Sequence, residues 1–241
     1  MQILTKYKSG GSHAPIADAL ISPKEAVMFF DDYDQTMPSA TRNTLTNGTG
    51  CTTSVGTLDT GVAIALHGST ASQTSSVAHT SATVKVDVNR TIYFEAQVSS
   101  NYAVLANSGS SFVGFSQLAV GTASITAAGA ADGTNTAIGF AFKQDGTLAT
   151  VVSNGTTIAT SATLVTSPTL LAATGKSYRL GMVIKQSSAV DFYLNGVYST
   201  TVTTALDTTN LLRLKLETLG GTSTTALRGL YVDYVQYAYT R

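Results

Sequence analysis

The chain has 241 residues, a formal net charge of zero and only 12% charged side chains. That length suits one large β-sandwich or two small domains, and all-β domains of this size commonly form a single unit. The missing charge excludes the basic footprint that nucleic acid or an anionic membrane would require, so neither is an expected partner.

Solubility falls instead to the Thr, Ser, Ala and Gly that crowd the chain, a surface suited to extracellular or virion proteins. The single cysteine, Cys51, excludes an internal disulfide or a cysteine metal cluster and leaves a free thiol or an intermolecular bridge. The opening MQILTKYKSGG has too short an apolar run for a signal peptide, and no later segment has the apolar length to span a membrane. Synthesis in the cytoplasm is therefore expected.

Residues 1–25 read as an arm: Gly10, Gly11 and Pro15 precede a short helix-compatible run, and Pro23 closes it. Such an arm docks on a neighbouring subunit or folds loosely on its own domain. Residues 26–241 read as one sandwich domain, built from short alternating runs separated by turn residues. Strands are predicted over 26–32, 62–67, 82–88, 91–98, 111–118, 137–143, 148–152, 178–185, 189–194, 197–202, 211–217 and 226–239.

Period-two alternation assigns the faces. Ile92, Phe94, Ala96 and Val98 form an apolar row with Thr91, Glu95 and Gln97 opposite. Tyr178, Leu180, Met182 and Ile184 form another, continued by Val190, Phe192 and Leu194. Asp145-Gly146, Asn154-Gly155 and Asn195-Gly196 predict two-residue hairpins, because these dipeptides supply positive φ cheaply. Residues 99–111 and 120–135 alternate weakly and read as long loops or poorly specified edge strands. The stretch 70–81 is locally simple in Ser and Thr.

Three segments resemble the concanavalin A-like lectin and glucanase superfamily, which includes laminin G-like domains. Met28-Phe29-Phe30-Asp31-Asp32-Tyr33-Asp34 is similar to its aromatic-acidic opening strand. Ser177 to Ile184, followed by Val190-Asp191-Phe192-Tyr193-Leu194-Asn195-Gly196-Val197, resembles its paired strands, and Leu230-Tyr231-Val232-Asp233-Tyr234-Val235 is similar to its closing strand. The resemblance implies an all-β fold: a two-sheet antiparallel jelly-roll sandwich of the concanavalin A-like kind behind a short N-terminal arm. Proteins of this build also recur among tailed-bacteriophage virion components.

Fold carries over in such a resemblance and activity does not. Glucanases of the superfamily place their carboxylates in a Glu-x-Asp-x-x-Glu run, which this chain lacks: its three glutamates, Glu25, Glu95 and Glu217, stand apart. Glu95 is expected to pair with Arg or Lys across the sheet. His13, His67 and His79 are too scattered for a metal site or a triad, and no Gly-x-Ser-x-Gly elbow is present. No catalytic residue and no enzymatic activity are expected, and no cofactor. Asp31, Asp32 and Asp34 are the candidate metal residues, because laminin G-like relatives bind calcium through loop carboxylates; capping of the sheet edge explains them equally.

Sugar binding relies on aromatic rings, and here it would fall to Tyr193, Tyr198, Tyr231, Tyr234, Tyr237 and Tyr239, since the chain has no tryptophan. The last four switch parity once, which predicts a bulge near Gln236 or an interface face.

The expected role is a non-enzymatic virion structural protein that decorates or cements a capsid. It would dock on other virion proteins, chiefly the major capsid protein, through the arm and a sheet face. It would be a homo-oligomer, with a trimer as the first guess. The alternative is a lectin-like module of a phage tail or adhesin that binds a glycan or receptor.

Overall fold

The computed structural model describes residues 26–31, 43–55, 63–67, 73–101, 109–159, 161–166, 177–221 and 228–240. The arm assigned to 1–25 lies outside the described residues. Within them the chain is all strand and loop: β1 (Ala26–Asp31), β2 (Asn43–Asn47), β3 (Thr52–Val55), β4 (Ala63–His67), β5 (Thr74–His79), β6 (Val84–Lys85), β7 (Thr91–Asn101) and β8 (Gly109–Ser116). The second half adds β9 (Thr136–Phe142), β10 (Leu148–Asn154), β11 (Thr163–Val165), β12 (Tyr178–Lys185), β13 (Ala189–Leu194), β14 (Val197–Thr203), β15 (Leu211–Gly220) and β16 (Arg228–Thr240).

Two antiparallel sheets of eight strands face each other. Sheet A runs β14-β13-β12-β7-β16-β4-β3, with β1 sharing the β16 flank beyond β4. Sheet B runs β11-β10-β9-β8-β15-β5-β2, with β6 sharing the β15 flank beyond β5. The apolar rows read from the sequence are the inner face of sheet A: Ile92, Phe94, Ala96 and Val98 lie in register with Leu180, Met182 and Ile184. They meet Val113, Phe115, Ile138, Phe140, Leu214 and Leu216 of sheet B in one core. Edge-to-face ring pairs cross between the sheets, Phe94 on Phe115 at 5.4 Å and Phe140 on Phe192 at 5.2 Å. Each fully buried Phe is worth roughly 1.5–3 kcal/mol.

The tightest turn is the Asn195-Gly196 hairpin. Both residues have positive φ, 53° and 80°, and Leu194 pairs directly with Val197. The Asp145-Gly146 turn is one residue longer than expected. Lys143 N–H donates to Thr147 O around 144–146, Gly146 takes the left-handed position, and Asp145 accepts from Thr147 N–H.

Four strands are absent from the sequence reading: β2, β3, β5 and β11. Their residues are mostly Thr, Ser and Asn, and they become strands because partners demand backbone hydrogen bonds. β5 shows this best, since Ser75 and Ser76 are buried between β15 and β2. Conversely, the predicted strand 82–88 shrinks to the two residues of β6.

Residues 117–135, of which 120–135 read as a long loop or poorly specified edge strand and 117–118 as the end of a strand, form a strap folded onto the outer face of sheet B. Ile125 and Ala131 pair with each other and pack on Phe112, Ala137, Ala141 and Val151. The strap is pinned at two outward residues of β15. Lys215 Nζ donates to the carbonyls of Ala119 and Thr122 and lies 2.9 Å from Glu217 Oε2, while Glu217 Oε1 accepts from Ser124 N–H at 2.7 Å. Both side chains are fully buried.

Candidate functional site

β7 is the fourth of seven strands in the path of sheet A, and its outward row is Tyr93, Glu95, Gln97 and Ser99. In register, Glu95 faces Gly181 of β12 on one side and Gln236 of β16 on the other. The glycine leaves room beside the carboxylate, and Gln236 supplies a donor. Glu95 Oε1 accepts from Tyr234 Oη at 2.7 Å and from Gln236 Nε2 at 3.2 Å. Its other oxygen, Oε2, is buried without a hydrogen-bond partner. The expected Arg or Lys partner across the sheet is thus replaced by two neutral donors, because the facing strands offer Gly and Gln there.

A β-bulge in β16 completes this face. Val232 pairs with Val98 and Tyr234 with Gln97, so Asp233 is an extra residue without an opposite number. Val232 and Val235 both point into the core, which leaves Asp233 and Tyr234 together on the outside with Tyr231. The parity switch of the tyrosines had located this bulge three residues too late, near Gln236. It sorts them as well: Tyr237 packs in the core and Tyr239 packs partly buried against it, while Tyr231 and Tyr234 face out.

Beside the bulge lies a notch of about 90 Å³ lined by Gln97, Ser99, Ser177, Tyr231 and Asp233 with Val98 beneath. Asp233 and Ser177 are exposed and Tyr231 is half-buried. Gln97 Nε2 donates to Ser177 Oγ at 2.5 Å, which holds the amide across one wall.

Farther along the same face, Asp191 of β13 pairs with Lys185 and accepts from Thr201 Oγ1 at 2.6 Å. The hydrogen bond that the Lys185 ammonium donates to Asp191 holds it above its ordinary pKa. Thr201 also contacts Tyr198 Oη at 2.9 Å, and the Tyr198 ring stands edge-on to Tyr193 at 5.9 Å. Tyr198 is 55% exposed. The outer face of sheet A thus carries carboxylates at Glu95, Asp191 and Asp233 between half-buried or exposed tyrosines.

The other residues singled out from the sequence do not join it. Asp31 closes β1 opposite Val235, but its side chain, Asp32 and Asp34 lie outside the described residues, as does His13. Among the described residues no three His, Cys, Asp or Glu side chains form a metal-binding group. His79 is buried against Phe29, ring centroids 4.6 Å apart, and is a core residue. Cys51 is a half-buried free thiol. Asp233, Gln97 and Ser177 were missed as site residues, and the only signal pointing to them was the tyrosine parity switch.

No family model matches the chain, and no curated protein matches it. Solved structures do. The endo-1,3-β-glucanase of Streptomyces sioyaensis superposes with a TM-score of 0.57 at 15% identity, over 90% of this chain and 98% of that one. A Bacillus licheniformis β-glucanase gives 0.58 at 10% identity over 87% and 97%. The fold is the concanavalin A-like jelly-roll sandwich. The potassium-bound carbohydrate recognition domain of Emp46p also superposes, with a TM-score of 0.57 at 7% identity, over 86% of this chain and 94% of that one.

These likenesses correct the expectation that the chain is not an enzyme. That exclusion rested on a missing Glu-x-Asp-x-x-Glu run, yet the same concanavalin A-like architecture is the one found in glucanases. At these identities the likeness carries the fold and not the catalytic residues. The expected virion setting gains no support from these structures.

Proposed function

We propose that this domain binds carbohydrate on the outer face of sheet A. The observation that carries the reading is the bulge at Asp233, which gathers Tyr231, Asp233 and Tyr234 beside Gln97 and Glu95 on one face. Sugar recognition needs an aromatic ring against the apolar face of a pyranose and fixed acceptors and donors for its hydroxyls. Tyr231 supplies the ring, Asp233 and Ser177 supply accessible polar groups, and Gln97 is already oriented by Ser177. Glu95 lies beneath as the group that orients Tyr234 and Gln236. The fold adds weight, since one similar structure is a carbohydrate recognition domain and others are glucanases.

Between the two roles expected from the sequence, these features favour glycan binding over capsid decoration. A homo-oligomer presenting several copies of the face would raise avidity without any new contact. A place on a virion is supported by composition and resemblance alone.

The test is titration of laminarin, and separately of barley β-glucan, followed by tyrosine difference absorbance, which is clean in a chain without tryptophan. Saturable binding that Tyr231→Ala weakens about tenfold or more supports the reading. Binding that Tyr231→Ala leaves untouched would remove the site from this face. Reducing ends measured in the same samples report whether bound glycan is also cleaved.

A further inference from the structure

We infer that the outer edge of β14 is a docking site for an extended, uncharged peptide segment of a partner protein, which adds to sheet A as a further strand, a role separate from the glycan binding proposed above.

β14 ends the path of sheet A, and among the described residues no strand pairs its far edge. The ladder to β13 shows which backbone groups that edge presents. Thr203 stands opposite Ala189, and the next residue, Thr204, donates its N–H to Ser188 O. By the alternation of an antiparallel pair, Val202 and Thr200 also turn their backbone groups toward β13. Thr201 and Thr203 therefore turn theirs away from the sheet, and both residues are exposed. Each offers one donor and one acceptor, about 7 Å apart along the strand, which is the repeat that another antiparallel strand needs.

That edge is one wall of a groove of about 450 Å³, formed by Thr200 to Thr204 with Ile158, Ala159 and Ala162 across from them. The opposite wall directs its backbone to β10: Ala159 N–H donates to Val152 O, and Ala162 O accepts from Thr150 N–H. It shows the groove side chains instead, and Ile158 is 50% exposed. Asn154 Nδ2 donates to Ala205 O at 2.9 Å and ties the two walls together just beyond Thr204.

The lining selects the occupant. It has no charged residue to hold an ion and no aromatic ring to carry a pyranose. It combines two backbone donor–acceptor pairs on one side with an aliphatic wall on the other. An extended peptide adds to a sheet edge in this way, held by main-chain hydrogen bonds and read at alternate side chains. The Ile158 wall asks for an aliphatic side chain at such a position and rejects a charged one. A second copy's β14 fits less well. The bulge between Tyr198 and Thr200 bends the strand, which blocks two rigid sheets from joining edge to edge but leaves Thr200 to Thr204 regular enough for one slender strand.

The experiment is a positional array of acetylated seven-residue peptides built on Thr and Ser with guest positions, probed with the labelled full chain. Peptides with Val, Ile or Leu at alternate guest positions are expected to bind. Asp, Glu, Lys, Arg or Pro there, or methylation of the backbone nitrogens, should each weaken binding about tenfold or more. Two variants locate the site. Thr203→Pro removes an outward N–H that the ladder does not use, where an edge strand tolerates proline. Ile158→Asp charges the exposed wall. Both should weaken the best peptide about tenfold, and a thermal melt checks that each folds, so that one decides if the other does not. Hydrogen exchange reads the edge directly: the Thr201 and Thr203 amides should exchange freely in the protein alone and slow when that peptide is added. An array without binders, or a binder indifferent to backbone methylation or to the folded variants, overturns the proposal. Amides already protected in the free protein overturn it as well, as does self-association that Thr203→Pro abolishes, which would assign the edge to a second copy.

Discussion

Each sheet carries one fully buried glutamate on its outer face, and the two are treated in opposite ways. Glu217 of sheet B has its charge paired: Lys215 lies 2.9 Å from Oε2, which makes no hydrogen bond, and Ser124 N–H donates to Oε1 at 2.7 Å, beneath the 117–135 strap. Glu95 of sheet A has two neutral donors on one oxygen and none on the other, beside an open notch. A buried carboxylate with ion pair and amide together serves to fasten the chain. One left half satisfied is a cost to stability that a binding role explains.

The comparison breaks most sharply at Lys215. Lys215→Met strands the Glu217 charge in a dry site, and a loss of about 3–5 kcal/mol is expected in urea unfolding. The double variant Lys215→Met, Glu217→Leu should recover much of that loss, since both charges are then gone. If the single change cost under about 1 kcal/mol, the strap would be held by its apolar contacts alone.

Next comes the close approach beneath the strap. A Cβ on Gly139 would lie 2.3 Å from Val113 O and 2.8 Å from Gly114 Cα, both backbone atoms that cannot move aside cheaply. Gly139→Ala should therefore destabilise by about 1–3 kcal/mol in thermal or chemical melts. No comparable penalty is expected from Asp233→Ala on the opposite face, where the side chain is exposed.

Glu95→Gln sharpens the contrast from the other side. It keeps an acceptor for Tyr234 and removes the buried charge, so its stability should stay within about 1 kcal/mol of the native protein. Glycan affinity should fall several-fold as Tyr234 and Gln236 lose their charged anchor. A melt as damaged as that of Lys215→Met would place Glu95 with Glu217 as a structural group.

The smallest effect lies in the connection from β14 to β15, which joins the two sheets. Burial alone would raise the Asp207 pKa, but hydrogen bonds from Thr209, Asn210 and Thr136 outweigh it and hold the carboxyl far below its ordinary 3.8. A depressed folded value means stabilisation that is present above 3.8 and lost as pH falls below it. Asp207→Asn should shallow the acid limb of melting temperature against pH, leaving a small deficit at neutral pH that closes in acid.

The core was legible because alternation is a local property. Ile92, Phe94, Ala96 and Val98 can be assigned to one face from their spacing, and Asn195-Gly196 to a turn from its φ requirements. β5 was illegible because its Ser and Thr residues carry no alternating signal, and only the flanking β15 and β2 make it a strand. Residues 120–135 read as a long loop or a poorly specified edge strand; they form a strap, and nothing in their composition told where it would lie.

The sequence by itself determined the class of fold, the inner faces and the position of the tightest turn, since each depends on residues within a few places of one another. Only the tertiary structure decided which polar side chains meet. Tyr234 and Glu95 are 139 residues apart, and Lys215 and Thr122 are 93 apart. Contacts at that range depend on strand order and on one extra residue in β16, and neither is encoded in any short stretch of chain.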